Sequence, residues 1–481
     1  MGKFNTNKTK SVPDTITYEG GAAYSRDSLQ AWFNMLMSSF VEDMFYESSD
    51  SQVKRFLELT DEIADEYGYR FVGKAAIFVR NQFGMRSISQ LLAAWLNDKK
   101  FDSKRNFYKA FYHRPDDIGE VFSIIDSFNG KRSHALVRGT ADYISQLNGY
   151  SLMKYRGLGH EYNMYDIINI CHPKSKTIDD FKNDRISSAD TWEVNISTAK
   201  NDEERSQQWI RLVEEHKLGY MALLRNLNNI LAADIPSSYW IEKELCPQLE
   251  NETKIRKSLV FPYRIFTAYK NLKVKNLSVL KSLDKAFRIA TTNVPHFDGL
   301  NAVVLDVSAS MENNISHNSN ITLKEIGACF AVSLLLSGSK IDYIKFGSDA
   351  KRFSINPLNN VFDMIEAVEA NDYCGYGTNL NSALNVMKES NSYSRIFLIS
   401  DMQVLADYWY VRKDTITEYA ARYGNIHTYS FDLANYSSQV APANKNFVFL
   451  TSLSDTIFKF IGFMENKEID IVSIINNEVD F

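Results

Sequence analysis

The string Asp306-Val307-Ser308-Ala309-Ser310 sets one carboxylate and two hydroxyls on alternate residues, directly behind the apolar run Ala302-Val303-Val304-Leu305. Oxygen donors leaving a strand in this way suit a hard divalent cation, which takes oxygen ligands in near-octahedral geometry and keeps some of its water. In open α/β sheets the carboxyl end of a strand is also where ligands bind. Two more donors stand at matching places: Thr378 in Gly375-Tyr376-Gly377-Thr378, and Asp401 behind Arg395-Ile396-Phe397-Leu398-Ile399-Ser400. Asp306, Ser308, Ser310, Thr378 and Asp401 therefore form a candidate site for a divalent cation, Mg²⁺ above all. So few charges leave the ion net positive, with one position open to an acidic group of a partner. A D-x-S-x-S string alone is also an ordinary turn sequence, since Asp and Ser favour turns; the strand context lifts it above that. There is no phosphate-cradling G-x-x-x-x-G-K-[ST] loop and no second carboxylate cluster for two-metal hydrolysis. The site reads as built to bind, and no catalytic residue is assigned.

A second chemistry lies in Gly149–Lys176. Here Gly149-Tyr150-Ser151-Leu152-Met153-Lys154-Tyr155-Arg156 leads towards Ile170-Cys171-His172-Pro173-Lys174. Basic residues beside aromatics suit phosphate pairing with base stacking, which is how single-stranded nucleic acid is held. Lys154, Arg156 and His172 are the candidates, with Arg138, Lys131 and Arg132 behind them and Lys104 and Arg105 as unspecific phosphate contacts. The plain alternative is that the cations are solvated surface charges and that His172 caps a helix C-terminus, where a cation is favoured anyway.

The elements that position these residues differ between the two halves. The first half has helical periodicity: Leu29, Phe33, Leu36 and Phe40 form one stripe, and Val53, Phe56, Leu57, Thr60, Ile63, Ala64 and Tyr67 another, with Gly68 at the expected C-cap. More helices are expected around 71–82, 88–96, 105–113, 117–127, 133–147, 163–170, 204–216, 219–232, 237–245 and 277–290. Short turns between amphipathic helices suggest a degenerate α solenoid of helical hairpins. Behind Val294-Pro295-His296-Phe297, short apolar runs (302–305, 341–346, 396–400, 426–431 and 447–450) alternate with helical stretches (322–336, 361–370, 379–389, 415–423 and 456–464). That alternation predicts a doubly wound α/β domain, with 352–355 as an antiparallel edge strand.

Composition fits this division. The chain has 481 residues, too many for one core, with 44% hydrophobic and 23% charged residues. Asp298–Phe481 holds 22 of the 59 acidic and 13 of the 54 basic residues, so residues 1–297 hold 37 and 41. The first half is thus the one suited to a polyanion. No apolar run is long enough for a membrane helix, and no signal peptide is expected. The four cysteines (Cys171, Cys246, Cys329 and Cys374) have no C-x-x-C pairing. They argue against a disulfide framework and for a cytoplasmic setting.

The strand-end constellation resembles the metal-ion-dependent adhesion site of von Willebrand factor A domains, with Ala309 where glycine is common. Segments of the first half resemble the TROVE module: 18–24, Phe78-Val79-Arg80-Asn81-Gln82-Phe83-Gly84-Met85-Arg86, 191–197, and Gly219-Tyr220-Met221-Ala222-Leu223-Leu224-Arg225-Asn226-Leu227. The two modules in this order resemble the Ro protein family. The resemblance implies a ring of HEAT-like helical repeats followed by an A-type domain, and a monomer. It also implies binding of small non-coding (Y-like) RNA and of single-stranded ends of misfolded RNA, in RNA quality control. Lys154, Arg156 and His172 occupy places where that family meets RNA, with Arg156 about one residue out of step. Arg225 and Asn226, in an apolar helix, read as buried structural residues. The expected domains are a basic tail (1–11), the helical module (12–294), the A-type domain (295–475) and a C-terminal tail (476–481). The competing reading is a metal-dependent adaptor for an RNA-processing nuclease or another protein, with the helical module as scaffold.

Overall fold

Helix punctuation is set by residues that leave the α region. Gly68, at φ +85°, separates helix α1 (Ser49–Tyr67) from α2 (Tyr69–Gln82), a conformation that costs glycine nothing. The structure, a computed structural model, describes residues 15–16, 20, 22–25, 28–37, 49–157, 161–186, 192–197, 199–234, 237–315, 319–387, 392–403, 426–433, 438–439, 447–451, 457–466 and 471–481. The basic tail 1–11 and the helix expected at 415–423 lie outside these residues. Contacts divide the chain into two units, one from 36–41, 53–198 and 469–481, the other from 1–35, 42–52 and 199–468.

The first unit continues with α3 (Ser87–Trp95), α4 (Lys104–Phe111), α5 (Asp116–Ser127), α6 (His134–Ile144), α7 (Gly149–Lys154), α8 (Met164–Cys171) and α9 (Lys176–Lys182). These helices pack through apolar faces centred on Phe78, Phe107, Phe111, Ile118, Phe122 and Leu136, all buried. Helices α4 and α6 cross closely because Gly139 has no side chain: a Cβ there would lie 2.5 Å from the Arg105 carbonyl. The C-terminal helix Ile471–Glu478 belongs to this unit, so 476–481 is no loose tail. Arg70 donates to Asp480 and to the Phe481 carbonyl, both at 2.9 Å, and Lys74 donates to the Asn476 carbonyl at 2.8 Å. The Phe481 ring packs 5.5 Å from Phe107.

The second unit joins helices to a six-stranded sheet. Its helices include α10 (Tyr220–Arg225), α11 (Leu227–Leu231), α12 (Pro262–Lys270), α13 (Leu277–Ala290), α14 (Leu323–Leu336), α15 (Val361–Glu369) and α16 (Leu380–Met387). The stretch expected as one helix over 219–232 is broken at Asn226. Helix α12, started by Pro262 at a first-turn position where proline is tolerated, was not anticipated. The strands are β1 (Leu300–Asp306), β2 (Lys340–Phe346), β3 (Ala350–Phe353), β4 (Arg395–Ser400), β5 (His427–Asp432) and β6 (Phe447–Thr451). They run in the order β3-β2-β1-β4-β5-β6, all parallel except β3, which pairs antiparallel to β2. Every strand of this sheet and the edge-strand direction follow the expected pattern within about two residues, the usual uncertainty of element ends, whereas the short strands Thr15–Ile16, Ala22–Ser25 and Ser438–Gln439, which pair in a second, three-stranded sheet, were not anticipated.

The expected boundary at 294/295 does not coincide with this division, because helices after 199 group with the sheet. Aromatic stacking and end-capping hold them there. Tyr269 stacks on Phe362 with centroids 3.6 Å apart and planes at 3°. Asp284 accepts from the Val361 amide at 2.7 Å, satisfying the first turn of α15. Arg288 donates to the carbonyls of Pro357 (3.0 Å) and Asn359 (2.5 Å), and Lys270 pairs with Glu325.

Candidate metal centre and nucleic-acid interface

Sheet register brings the oxygen donors together. Strand β1 is central, flanked by β2 and β4, and Leu305 lies opposite Ile399. The residues that follow, Asp306 on one strand and Ser400-Asp401 on the other, are therefore neighbours. The Asp306 carboxylate accepts from the Ser308 amide (2.9 Å) and from the Ser400 hydroxyl (2.6 Å). Burial and the nearby Asp401 carboxylate push Asp306 up to about 7, against hydrogen bonds from Ser400 and Ser308 that pull it down. A buried carboxylate whose proton affinity is raised by a second carboxylate marks a place where a cation is welcome.

The hydroxyls complete the donor set. Ser308 Oγ and Ser310 Oγ are 3.4 Å apart. Two oxygens at right angles around a cation, with bonds of about 2.1 Å, would lie about 3 Å apart, so the pair is close to ligand spacing. Ala309 opens a tight helical turn (Ala309–Glu312), which needs no glycine, and its amide donates to the Tyr376 carbonyl at 3.1 Å. That bond ties the serine turn to the loop carrying Thr378. The loop is held from beneath by Lys345, a buried lysine that donates to the Ala367 (3.0 Å) and Ala370 (2.9 Å) carbonyls and to Asp372 (2.5 Å). Gly347 permits the approach: a Cβ there would sit 2.1 Å from the Gly375 carbonyl. Asp306, Ser308, Thr378 and Asp401 are buried, while Ser310 is half-buried and Tyr373 and Tyr376 are exposed nearby in sequence to Thr378. Among the described residues no three His, Cys, Asp or Glu side chains converge. The set of two carboxylates and three hydroxyls is one that could hold Mg²⁺, and it offers no thiolate or imidazole for a softer metal.

The candidate RNA-binding cations fare differently from one another. His172 is exposed, ends α8 at φ +51°, and donates its amide to the Ile168 carbonyl at 2.9 Å. Lys154 ends α7 with its ammonium 5.6 Å from the Tyr155 ring centroid. Arg156 is exposed but lies over Tyr165 at 5.2 Å and 3.7 Å from Asp184. The Arg156 carbonyl accepts from the Met164 amide, so α8 spans the gap between Arg156 and His172, about 12 Å for eight residues. Arg138 is exposed on α6, and Lys131 is exposed with its carbonyl accepting from Asn97 at 2.9 Å.

Arg132 is held by an internal network. Its guanidinium donates to both Asp126 oxygens at 2.6 Å and to the Tyr162 hydroxyl, and lies 5.0 Å from the Phe122 ring. Lys104 likewise donates to the Asn97 (2.6 Å) and Lys99 (2.7 Å) carbonyls, and Arg105 grips Asp142 through two bonds of 2.6 and 2.8 Å. Two features escaped the sequence reading. Arg114 lies over the other aromatic of the basic segment, 5.5 Å from Tyr155, whereas Tyr150 is 52% exposed and offers the open ring. Arg225 is exposed, not buried, because α10 turns that side of its helix outward. The 78–86 motif proves architectural: Arg80, Arg86 and Gln90 all donate to the fully buried Asp117 carboxylate, at 2.8–3.1 Å.

Comparison with known proteins places residues 180–293 on the TROVE domain. Telomerase protein component 1 of Rattus norvegicus is 31% identical over 88 residues, which is 18% of this chain and 3% of that relative, so the chain spans a small fraction of the curated relative it matches. The crystal structure of the Deinococcus radiodurans Ro (RSR) protein superposes with a TM-score of 0.63 at 13% identity, covering 90% of this chain and 99% of that one. At that identity the likeness speaks to the fold.

Proposed function

We propose that the chain is a protein of the Ro/TROVE kind that binds small structured non-coding RNA of the Y-RNA type, and single-stranded ends of misfolded RNA. It does so as a non-enzymatic scaffold in RNA quality control. The observation that carries this reading is the TROVE match together with a Ro-like fold over 90% of the chain. Lys154, Arg156 and His172, set at the ends of α7 and α8, supply the phosphate contacts, and Tyr150 supplies a ring for stacking. Affinity of this origin falls with salt, because each neutralised phosphate releases counterions.

The experiment is a titration of the protein with a small structured RNA carrying a single-stranded 3′ tail, beside a tailless version, at two salt concentrations. Tail-dependent, salt-sensitive binding that weakens about 100-fold in Lys154→Glu/His172→Glu, as two phosphate contacts turned repulsive should produce, is the expected result. Absence of binding to both RNAs would end the RNA reading.

The α/β part is read as a von Willebrand A-type domain whose Asp306, Ser308, Ser310, Thr378 and Asp401 hold Mg²⁺. The ion would supply a positive, partly unsaturated centre for an acidic side chain of a protein partner, such as a nuclease. The buried Asp306–Asp401 pair favours this second reading specifically. The two readings are compatible, and they separate on whether Asp306→Ala or Lys154→Glu/His172→Glu removes the principal ligand.

A further inference from the structure

Between α10–α11 and α12 lies a cavity of about 290 Å³ lined by Met221, Leu224, Arg225, Leu227, Asn228, Arg264, Thr267, Ala268 and Asn271. Its lining holds two guanidinium groups and no carboxylate. Four of the nine lining residues (Met221, Leu224, Leu227 and Ala268) are apolar. Arg225 and Arg264 are both exposed residues, so their charges stay in reach of solvent and of a ligand.

The polar groups inside are already oriented. Asn228 donates to the Asn271 carbonyl (2.7 Å) and accepts from the Lys273 amide (2.9 Å), which ties α11 to the end of α12. Thr267 spends its hydroxyl proton on the Tyr263 carbonyl (2.9 Å), so its oxygen is left as an acceptor. The Asn271 amide nitrogen donates to the Thr267 carbonyl (2.8 Å), leaving its oxygen to accept as well. The cavity therefore combines cationic donors, an apolar lining and fixed neutral acceptors.

Charge along the segment that contains α12 is one-sided in sequence, although Lys270 and Arg256 pair with Glu325 and Glu252 outside it. Residues 253–283 contain eight lysines and arginines (Lys254, Arg256, Lys257, Arg264, Lys270, Lys273, Lys275 and Lys281) and no aspartate or glutamate. In a chain of net charge −5 that is a local reversal. Such a field concentrates anions, and arginine pairs suit the planar, bidentate recognition of phosphate.

We infer that this cavity binds one nucleoside phosphate unit. Its phosphate sits between Arg225 and Arg264, its base lies against Met221, Leu224, Leu227 and Ala268, and its ribose hydroxyls donate to Thr267 and Asn271. The volume, about 290 Å³, lies just below the roughly 300–1,000 Å³ of small-molecule sites, which limits the ligand to a single nucleotide. The unit is either a free mononucleotide or the phosphorylated end of an RNA. The cavity's residues belong to the other unit from Lys154 and His172, and the inference stands without that reading.

The test is calorimetric titration of the full chain with 5′-UMP, with uridine, with inorganic phosphate, and with a 5′-phosphorylated tetrauridylate. Wild type is compared with Arg225→Ala and Arg264→Ala, both at exposed positions, after circular dichroism confirms that each variant is folded. The expected result is saturable binding of one UMP, much weaker binding of uridine, and about tenfold loss in each variant, the size of one charged hydrogen-bonded contact. UMP and the tetranucleotide binding alike assigns the site to the free nucleotide, and a tetranucleotide preference assigns it to an RNA end. Binding of neither, or binding that both variants retain in full, overturns the inference. The structured RNA is titrated in parallel. Loss of that RNA with UMP retained defeats the RNA reading alone, and the converse defeats the cavity alone.

Discussion

The strand-end donors and the helical cations proposed to meet RNA are both polar residues that the sequence displays openly, yet only the first could be placed side by side from it. At the strand ends, parallel pairing makes distant residues neighbours by rule: β1 beside β4 puts Asp306 next to Ser400 and Asp401, 94 residues on in the case of the Ser400 bond. On the helical face no such rule exists. Each cation settles with whichever ring or carboxylate packs nearby, so Arg132 goes to Asp126 while Arg138 stays exposed. Topology converts local sequence into long-range proximity in a sheet, and helix packing leaves the pairing of surface charges open.

The largest break in that comparison should come from a helical cation that has become structure. Arg80 and Asp117 are both buried, and Arg80 donates to both carboxylate oxygens. Removing one partner of a buried pair costs about 3–5 kcal/mol. Arg80→Ala should lower the urea midpoint accordingly, whereas Arg138→Ala should stay within about 0.5 kcal/mol of wild type, as exposed substitutions do. A small effect for Arg80→Ala would show that the remaining donors, Arg86, Gln90 and the Arg114 amide, satisfy Asp117 unaided.

Next in size is the metal. A ligand at about 100 times its Kd adds about 2.7 kcal/mol to the state that binds it. For a unit of this size each kcal/mol moves Tm by roughly 2–4 °C. Millimolar Mg²⁺ should therefore raise the melting temperature by about 5–10 °C, EDTA should reverse it, and Asp306→Ala should not respond. The same variant should keep its affinity for RNA, which sharpens the separation of the two regions. A melting temperature in wild type that ignores Mg²⁺, Mn²⁺ and Ca²⁺ would remove the metal centre.

What the sequence made legible follows the same division. The sheet, its edge strand and the neighbouring strand ends that carry Asp306 and Asp401 could be read from apolar runs and the residues behind them, because period and strand-end position are local properties. The grouping of helices after 199 with the sheet could not. It rests on Tyr269 meeting Phe362 and on Asp284 capping α15, contacts between residues 77 or more apart with no local signature. Nor could the docking of Phe481 beside Phe107, since a short polar stretch at a chain end reads as a tail until its partner is known. Arg225 failed for a related reason: an apolar helix was taken to bury every side, and the break at Asn226 sets that side outward.

A further contrast concerns pH, and here too the regions diverge in sign. Asp142, on the helical side, is held below the usual carboxylate range by its hydrogen bonds from Arg105. The stability it lends is present above its unfolded pKa and is lost as pH falls. Glu369, at the end of α15, is pushed up to about 7, first by burial and then by Glu325, with Lys324 and Lys270 opposing and Glu366 adding to the shift. Its folded state therefore favours the protonated form. The stability linked to it is complete below the unfolded value, near 4.5, and is lost as pH rises through about 7. Glu369→Gln removes that titration, so the variant and wild type should melt together near pH 4, and the variant should melt higher at pH 8. Differential scanning fluorimetry across pH 4–8 reads this directly. A difference between the two proteins that stays constant over that range would mean that Glu369 keeps its ordinary acidity and that Lys324 and Lys270 offset its burial.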